Sequence, residues 1–509
     1  MRPVNVLSFI RVCLWWVFYM DQLNWGTGTK AASKQLIAEV PGDIMLGGLF
    51  PVHTSGTTMC NAINPERGIQ RVEAMLFTID EINNKSELLP GIRLGATIRD
   101  TCSATNFGLE QALQFVQSGS KCDHVKWGQN SQHQQQQQPV NLVTRGVVGS
   151  SYSSVTILVA NLFRLFSIPQ ISYASTSAVL SDKRAFPLFA RTVPSDVVQA
   201  RAMANLVSAH NWTYVSTVRS AGDYGDSGMD AFWKEADKLG VCIAAREVIR
   251  PNYGTDELDA IVHVLRHDFA KARVVVLFTG MDHTKLLLDA VRRAGLNDHF
   301  VWIASDGWGR ENLPVSNNSR VANGALTIEI QSKPVAAFTD HYLNLGYNNP
   351  RNPWFKEYWE DLFGCTFGDT LRVRRSTSEK NKLRLRDKIG SDFKQEAKIQ
   401  FVYDAVYAFA SGLHMLQRQL CVGNPHSPNW DKYGCIAKLL NYSGMDFYKL
   451  MIKANFTSLY VYRYDVSTIF FLLGCVFHCY LLAFYCIFIH SFWPAFTKSP
   501  FGVCQIKNS

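Results

Sequence analysis

Two serine-rich stretches, and two arginines one helical turn apart, are the residues of this sequence best suited to chemistry on a small ligand. GSSYSSV at 149–155 and SYASTSA at 172–178 each follow a short apolar run, the pattern of a turn leaving a buried strand for a helix. A turn of that kind presents hydroxyls and free backbone N–H groups, which hold carboxylates, and Ser153 is placed to cap the helix that follows. Arg67 and Arg71 share one helical face, and guanidinium forks bind carboxylates in pairs of hydrogen bonds. A small zwitterion with a second carboxylate would need this set, together with an acid, a carbonyl or an aromatic face for its ammonium. Each feature also has a plainer reading, since serine-rich turns join many strands to helices and arginines at that spacing commonly form a solvated face. No GxSxG, HExxH, Cys/His metal spacing or phosphate loop occurs, and Ser153 has no histidine partner visible in the sequence. The sequence therefore predicts no enzyme, no metal and no cofactor.

The elements that must position these residues follow from hydrophobic periodicity. From about residue 43, short apolar runs alternate with amphipathic stretches. IMLGGLFPV (44–52) predicts a buried strand ending at its proline, and 67–83 predicts a helix with Ile69, Val72, Met75, Leu76, Ile79 and Ile82 near one face. LGATIRD, RGVVGSS and IPQISYAS repeat the strand pattern, with helices predicted at 105–117 and 153–166. A second series, WTYVSTV, VCIAAREVI, ARVVVLFTG and FVWIASDGW, is separated by helical patterns near 224–239, 255–268 and 282–294. Alternation of this kind predicts parallel sheets covered on both faces, and two series predict two α/β lobes.

A chain of 509 residues, 47% hydrophobic and 18% charged, has the composition of a globular protein of two or three domains. Its net charge of +9 is scattered, except in 371–388, where eight Lys or Arg oppose Glu379 and Asp387. A solvated loop is the plain reading of that run, and contact with an acidic partner the alternative. Residues 1–25, with Arg2 and Arg11 before apolar runs, suit a secretory signal. Twelve cysteines, and sequons at Asn84, Asn211, Asn317, Asn441 and Asn455, agree with an oxidising, glycosylating route, which excludes nuclear work on nucleic acid. Residues 119–140, containing QHQQQQQP, read as a surface loop without periodicity. Ile469–Ile489 is an apolar run of 21 residues, enough to cross a bilayer as one helix, with Lys498 and Lys507 beyond it.

At the motifs ERGIQRVEAML, LLPGIRLGA, DTCS, GSSYSSV, FSIPQISYASTSA, LSDK, RTVPSD, NWTYVSTV, GDYGDSGMDAF, ASDGWG and RNPWF, taken in order, the sequence resembles the metabotropic glutamate receptors. The resemblance runs from about Gly42 to Thr457, and GSSYSSV, SYASTSA and Arg67 are most similar to the group II receptors. It implies a bilobed periplasmic-binding-protein-like (type I) clamp, with lobe 1 at about 42–192 and 320–457 and lobe 2 at about 193–319. It implies L-glutamate as ligand: Ser153 and the backbone around Thr176 on the α-carboxylate; the Ala174 carbonyl, Thr176, Asp196, Tyr224 and Asp306 around the ammonium; Arg67, Arg71 and Lys398 on the distal carboxylate; Tyr152 lining the cleft. Asp306 as a helix cap, Tyr224 as plain packing and Lys398 as a residue reaching to solvent are the alternatives. Some family members carry a basic residue that adds a ligand contact where this chain has Glu311, and the sequence departs from the family there. The resemblance also implies disulfides Cys60–Cys102 and Cys421–Cys435, and a homodimer through lobe 1 and Cys122. Cys242 and Cys365 lack their family partners.

After Thr457 the resemblance stops. The family would continue with strands completing lobe 2, a cysteine-rich neck and seven membrane helices, through which alone a G protein would be engaged. Residues 458–509 instead form a divergent tail, in which Arg463-Tyr464-Asp465 is a faint echo of an expected strand. The expectation is an incomplete lobe 2 with a raw sheet edge, in a truncated variant or a chain whose end derives from a misjoined exon. A secreted or single-span glutamate-binding decoy or dimer partner is the alternative function.

Overall fold

The apolar runs fold as parallel strands because helices cover both of their faces, and two sheets result. The computed structural model describes residues 36–56, 60–120, 144–365, 383–453, 455–457, 463–465 and 501–505. The first lobe is built on β1 (Ala38–Val40), β2 (Ile44–Phe50), β5 (Leu94–Asp100), β6 (Thr144–Val148), β7 (Gln170–Ser172) and β8 (Phe189–Arg191), beside a hairpin of β3 (His53–Ser55) and β4 (Cys60–Ile63). Its strand order is β1-β5-β2-β6-β7-β8, parallel throughout except for β1. Every residue of β2 and β6 is buried, as a strand covered on both faces requires.

The second lobe holds β9 (Tyr214–Ser220), β10 (Cys242–Ile249), β11 (Val274–Phe278), β12 (Val301–Ala304) and β13 (Leu326–Ile330). These are parallel, in the order β10-β9-β11-β12-β13. Two features correct the sequence reading. β13 pairs with β12, so the second lobe runs past the expected boundary at residue 319 to at least Ile330. Beyond the hairpin of β14 (Asn455–Thr457) and β15 (Arg463–Asp465), strand β16 (Phe501–Gln505) pairs antiparallel along all of β13. The edge expected to be raw is therefore covered, while Arg463–Asp465 pairs within its own hairpin and not with that sheet.

Helix α1 (Arg71–Asn83), entered through the wide helical turn Pro65–Gln70, buries its predicted apolar stripe: Ile69, Val72, Met75, Leu76, Ile79 and Ile82 are each at most 2% exposed. Helices α2 (Thr105–Ser120), α3 (Ser153–Leu165), α5 (Asp223–Lys238), α6 (Thr255–His263) and α7 (Met281–Arg293) follow the predicted series closely, whereas α4 (Asp196–Ala209) is a helix that the sequence reading did not predict. The long helix Ile399–Leu420 packs against α1 and brings Lys398 to the first lobe. The structure pairs Cys60 with Cys102 and Cys421 with Cys435, and leaves Cys242 and Cys365 as free thiols. The expected signal segment 1–25, Cys122 with most of the glutamine-rich stretch, and the apolar run 469–489 lie outside the described residues. Among the described residues, no helix is long and apolar enough to cross a membrane.

Candidate functional site

Parallel strands aim their carboxyl ends at one edge of a sheet, and ligands of such folds bind in the crevice outside those ends. Both lobes direct that edge at a common cleft. The turn after β6 supplies Ser151, Tyr152 and Ser153, and the turn after β7 supplies Ala174 and Thr176. From the second lobe, the first turn of α5 brings Tyr224, the segment just past β11 brings Gly280, and the turn after β12 brings Asp306 and Gly307. Arg67 and Arg71, at the entry to α1, and Lys398 complete a cavity of about 110 Å3, several times the roughly 10–15 Å3 that one water needs.

Nine of the ten ligand residues expected from sequence line this cavity: Arg67, Arg71, Tyr152, Ser153, Ala174, Thr176, Tyr224, Asp306 and Lys398. Asp196 does not. It is fully buried at the start of α4 and meets the cleft through Gln199, whose amide donates to Asp196 Oδ1 at 2.8 Å and to Asp306 Oδ1 at 3.0 Å. Ser153 is the first residue of α3 rather than its cap; the capping position is the extended Tyr152, with no side-chain bond to the helix. The Ser153 hydroxyl instead accepts from the Ser177 N–H at 3.3 Å, tying the two serine-rich turns together.

Charges in the cleft are arranged in pairs. Arg67 donates from Nε at 2.9 Å and from Nη2 at 2.6 Å to a single oxygen, Oε1, of Glu311. Arg71 forms a two-oxygen fork with Glu396 at 2.9 and 2.7 Å, donates to Ser151 at 2.8 Å and lies 5.3 Å from the Tyr173 ring centre. Lys398 Nζ donates to Asp306 Oδ2 at 3.1 Å and to Glu329 Oε1 at 3.4 Å. Lys398 thus turns inward rather than towards solvent. Asp306 acts as a hub rather than a helix cap: it accepts from Gln199, Tyr224 and Lys398. The Tyr224 hydroxyl donates at 2.9 Å to Asp306 and accepts from the Gly307 N–H at 3.0 Å, besides its contact with Ser305.

Burial and neighbours set the protonation of this network. Burial alone would raise the Asp306 carboxyl, but Lys398, with the bonds from Gln199 and Tyr224, holds it below the usual range. Burial works against charge on Lys398, and Asp306 and Glu329 reverse that. Glu311 is likewise opposed by burial and kept ionised by Arg67. Glu329 is pushed upward by burial, which Lys398 offsets only in part. Asp196, with burial first and the Asp306 charge second, is pushed up to about 7.

Sequence reading missed Gln199, Glu329 and Glu396. Each leaves a faint signal: Gln199 stands one helical turn after Asp196, Glu329 is the lone acid in the strand LTIEI, and Glu396 precedes Lys398 by two residues. A charge inside an apolar element needs a partner to be tolerated there.

Comparison with known proteins gives a consistent picture. The family described as "Receptor family ligand binding region" matches residues 70–449. The chain is 44% identical over 409 residues to a metabotropic glutamate receptor of Drosophila melanogaster, covering 75% of this chain and 41% of that relative. It is also 44% identical over 397 residues to metabotropic glutamate receptor 4 of Mus musculus, covering 75% of this chain and 42% of that relative. The chain thus spans about two fifths of the length of the relatives it matches.

Proposed function

The chain belongs to the receptor-family ligand-binding regions, in the branch of the metabotropic glutamate receptors, and we propose that it is a two-lobed clamp for an L-α-amino acid, with L-glutamate preferred. The observation that carries this reading is that nine residues, drawn from both lobes and suited to an amino acid, line a single cleft. Ser153 and the backbone at Thr176 hold the α-carboxylate, where turn N–H groups and hydroxyls converge. The Ala174 carbonyl, the Thr176 hydroxyl, Tyr224 and Asp306 surround the ammonium, with Asp196 acting from behind through Gln199. Arg67, Arg71 and Lys398 face the distal carboxylate. The first lobe captures the ligand, and Tyr224 and Asp306 add contacts made only when the lobes approach, so that ligand favours the closed form.

Work outside the cell, in a homodimer joined through the first lobe and Cys122, belongs to the same proposal. Two disulfides and the exposed positions of Asn84, Asn211, Asn317 and Asn441 support the secretory route. Coupling to a G protein enters the proposal only through the seven-helix domain that the family resemblance implies.

Titration calorimetry of the full chain with L-glutamate tests the reading. One saturable site is expected, weakened on the order of tenfold by Ser153→Ala and by Thr176→Val, since a hydrogen bond to a charged group contributes roughly 1.5–3 kcal/mol. Absence of saturable heat with L-glutamate, or wild-type affinity in the double variant, would contradict it.

A further inference from the structure

Every cation lining the cleft already has a carboxylate of this chain against it: Glu311 on Arg67, Glu396 on Arg71, and Asp306 with Glu329 on Lys398. These pairs differ in kind. Arg71 and Glu396 both belong to the first lobe and are buried, their side chains 2% and 5% exposed, so this fork holds the entry of α1 against the segment before Ile399–Leu420. Arg67–Glu311 crosses the cleft, from the turn Pro65–Gln70 of the first lobe to the loop after β12 in the second. Its members are 14% and 18% exposed, so it is the pair that a ligand entering the cleft can reach. Arg67 Nε and Nη2 both converge on Glu311 Oε1, which is the edge of the guanidinium that a ligand carboxylate would use.

We propose that Glu311 is a specificity-determining residue of the cleft: its carboxylate occupies, on Arg67, the place that a ligand's distal carboxylate would take. An L-amino acid with a second carboxylate must evict Glu311 from Arg67 or lie against it, whereas an uncharged amino acid of the same length leaves the pair intact, so Glu311 narrows the preference for L-glutamate that the cations of the cleft set. The proposal rests on the amino-acid-binding reading above and adds what sets its side-chain preference. Its physical basis is a difference between two affinities, altered here by a like charge already in place. Glu311 also draws the second lobe towards the first, so its removal weakens closure on any ligand, and only a ratio of affinities isolates its effect on selectivity.

The test is calorimetric titration of the full chain with L-glutamate and with L-glutamine, in wild type, Glu311→Gln and Glu311→Asp. The glutamate-to-glutamine affinity ratio is expected to rise on the order of 10–100-fold in Glu311→Gln, the range of one charge-assisted hydrogen bond, and to return towards the wild-type value in Glu311→Asp. Glu311→Ala carries the same expectation if the glutamine variant is poorly folded by its melting curve. A ratio unchanged within about threefold, that is within roughly 0.7 kcal/mol, while both amino acids still bind, overturns the role of Glu311 and leaves the amino-acid reading standing. If neither amino acid binds to any form, the amino-acid reading itself falls, and this proposal with it.

Discussion

Asp196 stands where a carboxylate is hardest to keep charged: fully buried, with a second acid, Asp306, one glutamine away. Its carboxyl is raised from the ordinary 3.8 to about 7, so the folded protein binds that proton more tightly than the unfolded chain does. The contribution to stability is therefore full below about pH 4 and is lost as pH rises through about 7. Asp306 and Glu311 act with the opposite sign, since their lowered values cost stability only as pH falls into the acid range. Melting temperature between pH 5 and 8 should thus fall less steeply in Asp196→Asn than in wild type; parallel slopes would show that Asp196 titrates normally. At this scale the sequence was informative about residue types and silent about pairing. Arg67 and Glu311 are 244 positions apart, and no periodicity connects them. Lys398 was legible as a cation near an apolar helix, but its turn into the cleft depends on Asp306 and Glu329, which come from another lobe.

The elements that aim these side chains depend on close backbone approach at a few points. A Cβ on Gly307 would lie 2.2 Å from the Thr279 carbonyl oxygen and 3.1 Å from the Tyr224 hydroxyl, so the Asp306 turn rests directly on the end of β11. Gly307→Ala should displace that turn, lowering both the melting temperature and the affinity for L-glutamate. Gly240, with φ +69 and open space around it, is the contrast. Alanine there should cost about 1–2 kcal/mol of backbone strain and leave affinity alone. Equal effects of both changes on binding would refute a positioning role for Gly307. Strands and helices of strong periodicity were legible to within a few residues, because burial on both faces demands an unbroken apolar run. β2 ends at Phe50, directly before the proline at which the strand was expected to end, since Pro51 offers no N–H to the ladder. β13 was not legible: LTIEI carries Glu329, which reads as a break in a buried strand until Lys398 is seen beside it.

For the whole molecule, the alternation of strands and helices established two α/β lobes, but not that their carboxyl edges face each other. That facing turns two sets of turn residues into one cleft. Lone features such as a serine-rich turn or an arginine pair acquire meaning only there. The central claim is that an amino acid lies in this cleft, touched by both lobes. A crystal structure of the full chain grown with L-glutamate tests it most directly. The account predicts density for the ligand with its α-carboxylate at Ser153 and Thr176, its ammonium beside Tyr224 and Asp306, and its distal carboxylate towards Arg67, with Glu311 displaced. Ligand density elsewhere, or a cleft in which Tyr224 and Asp306 make no contact with the ligand, would contradict it.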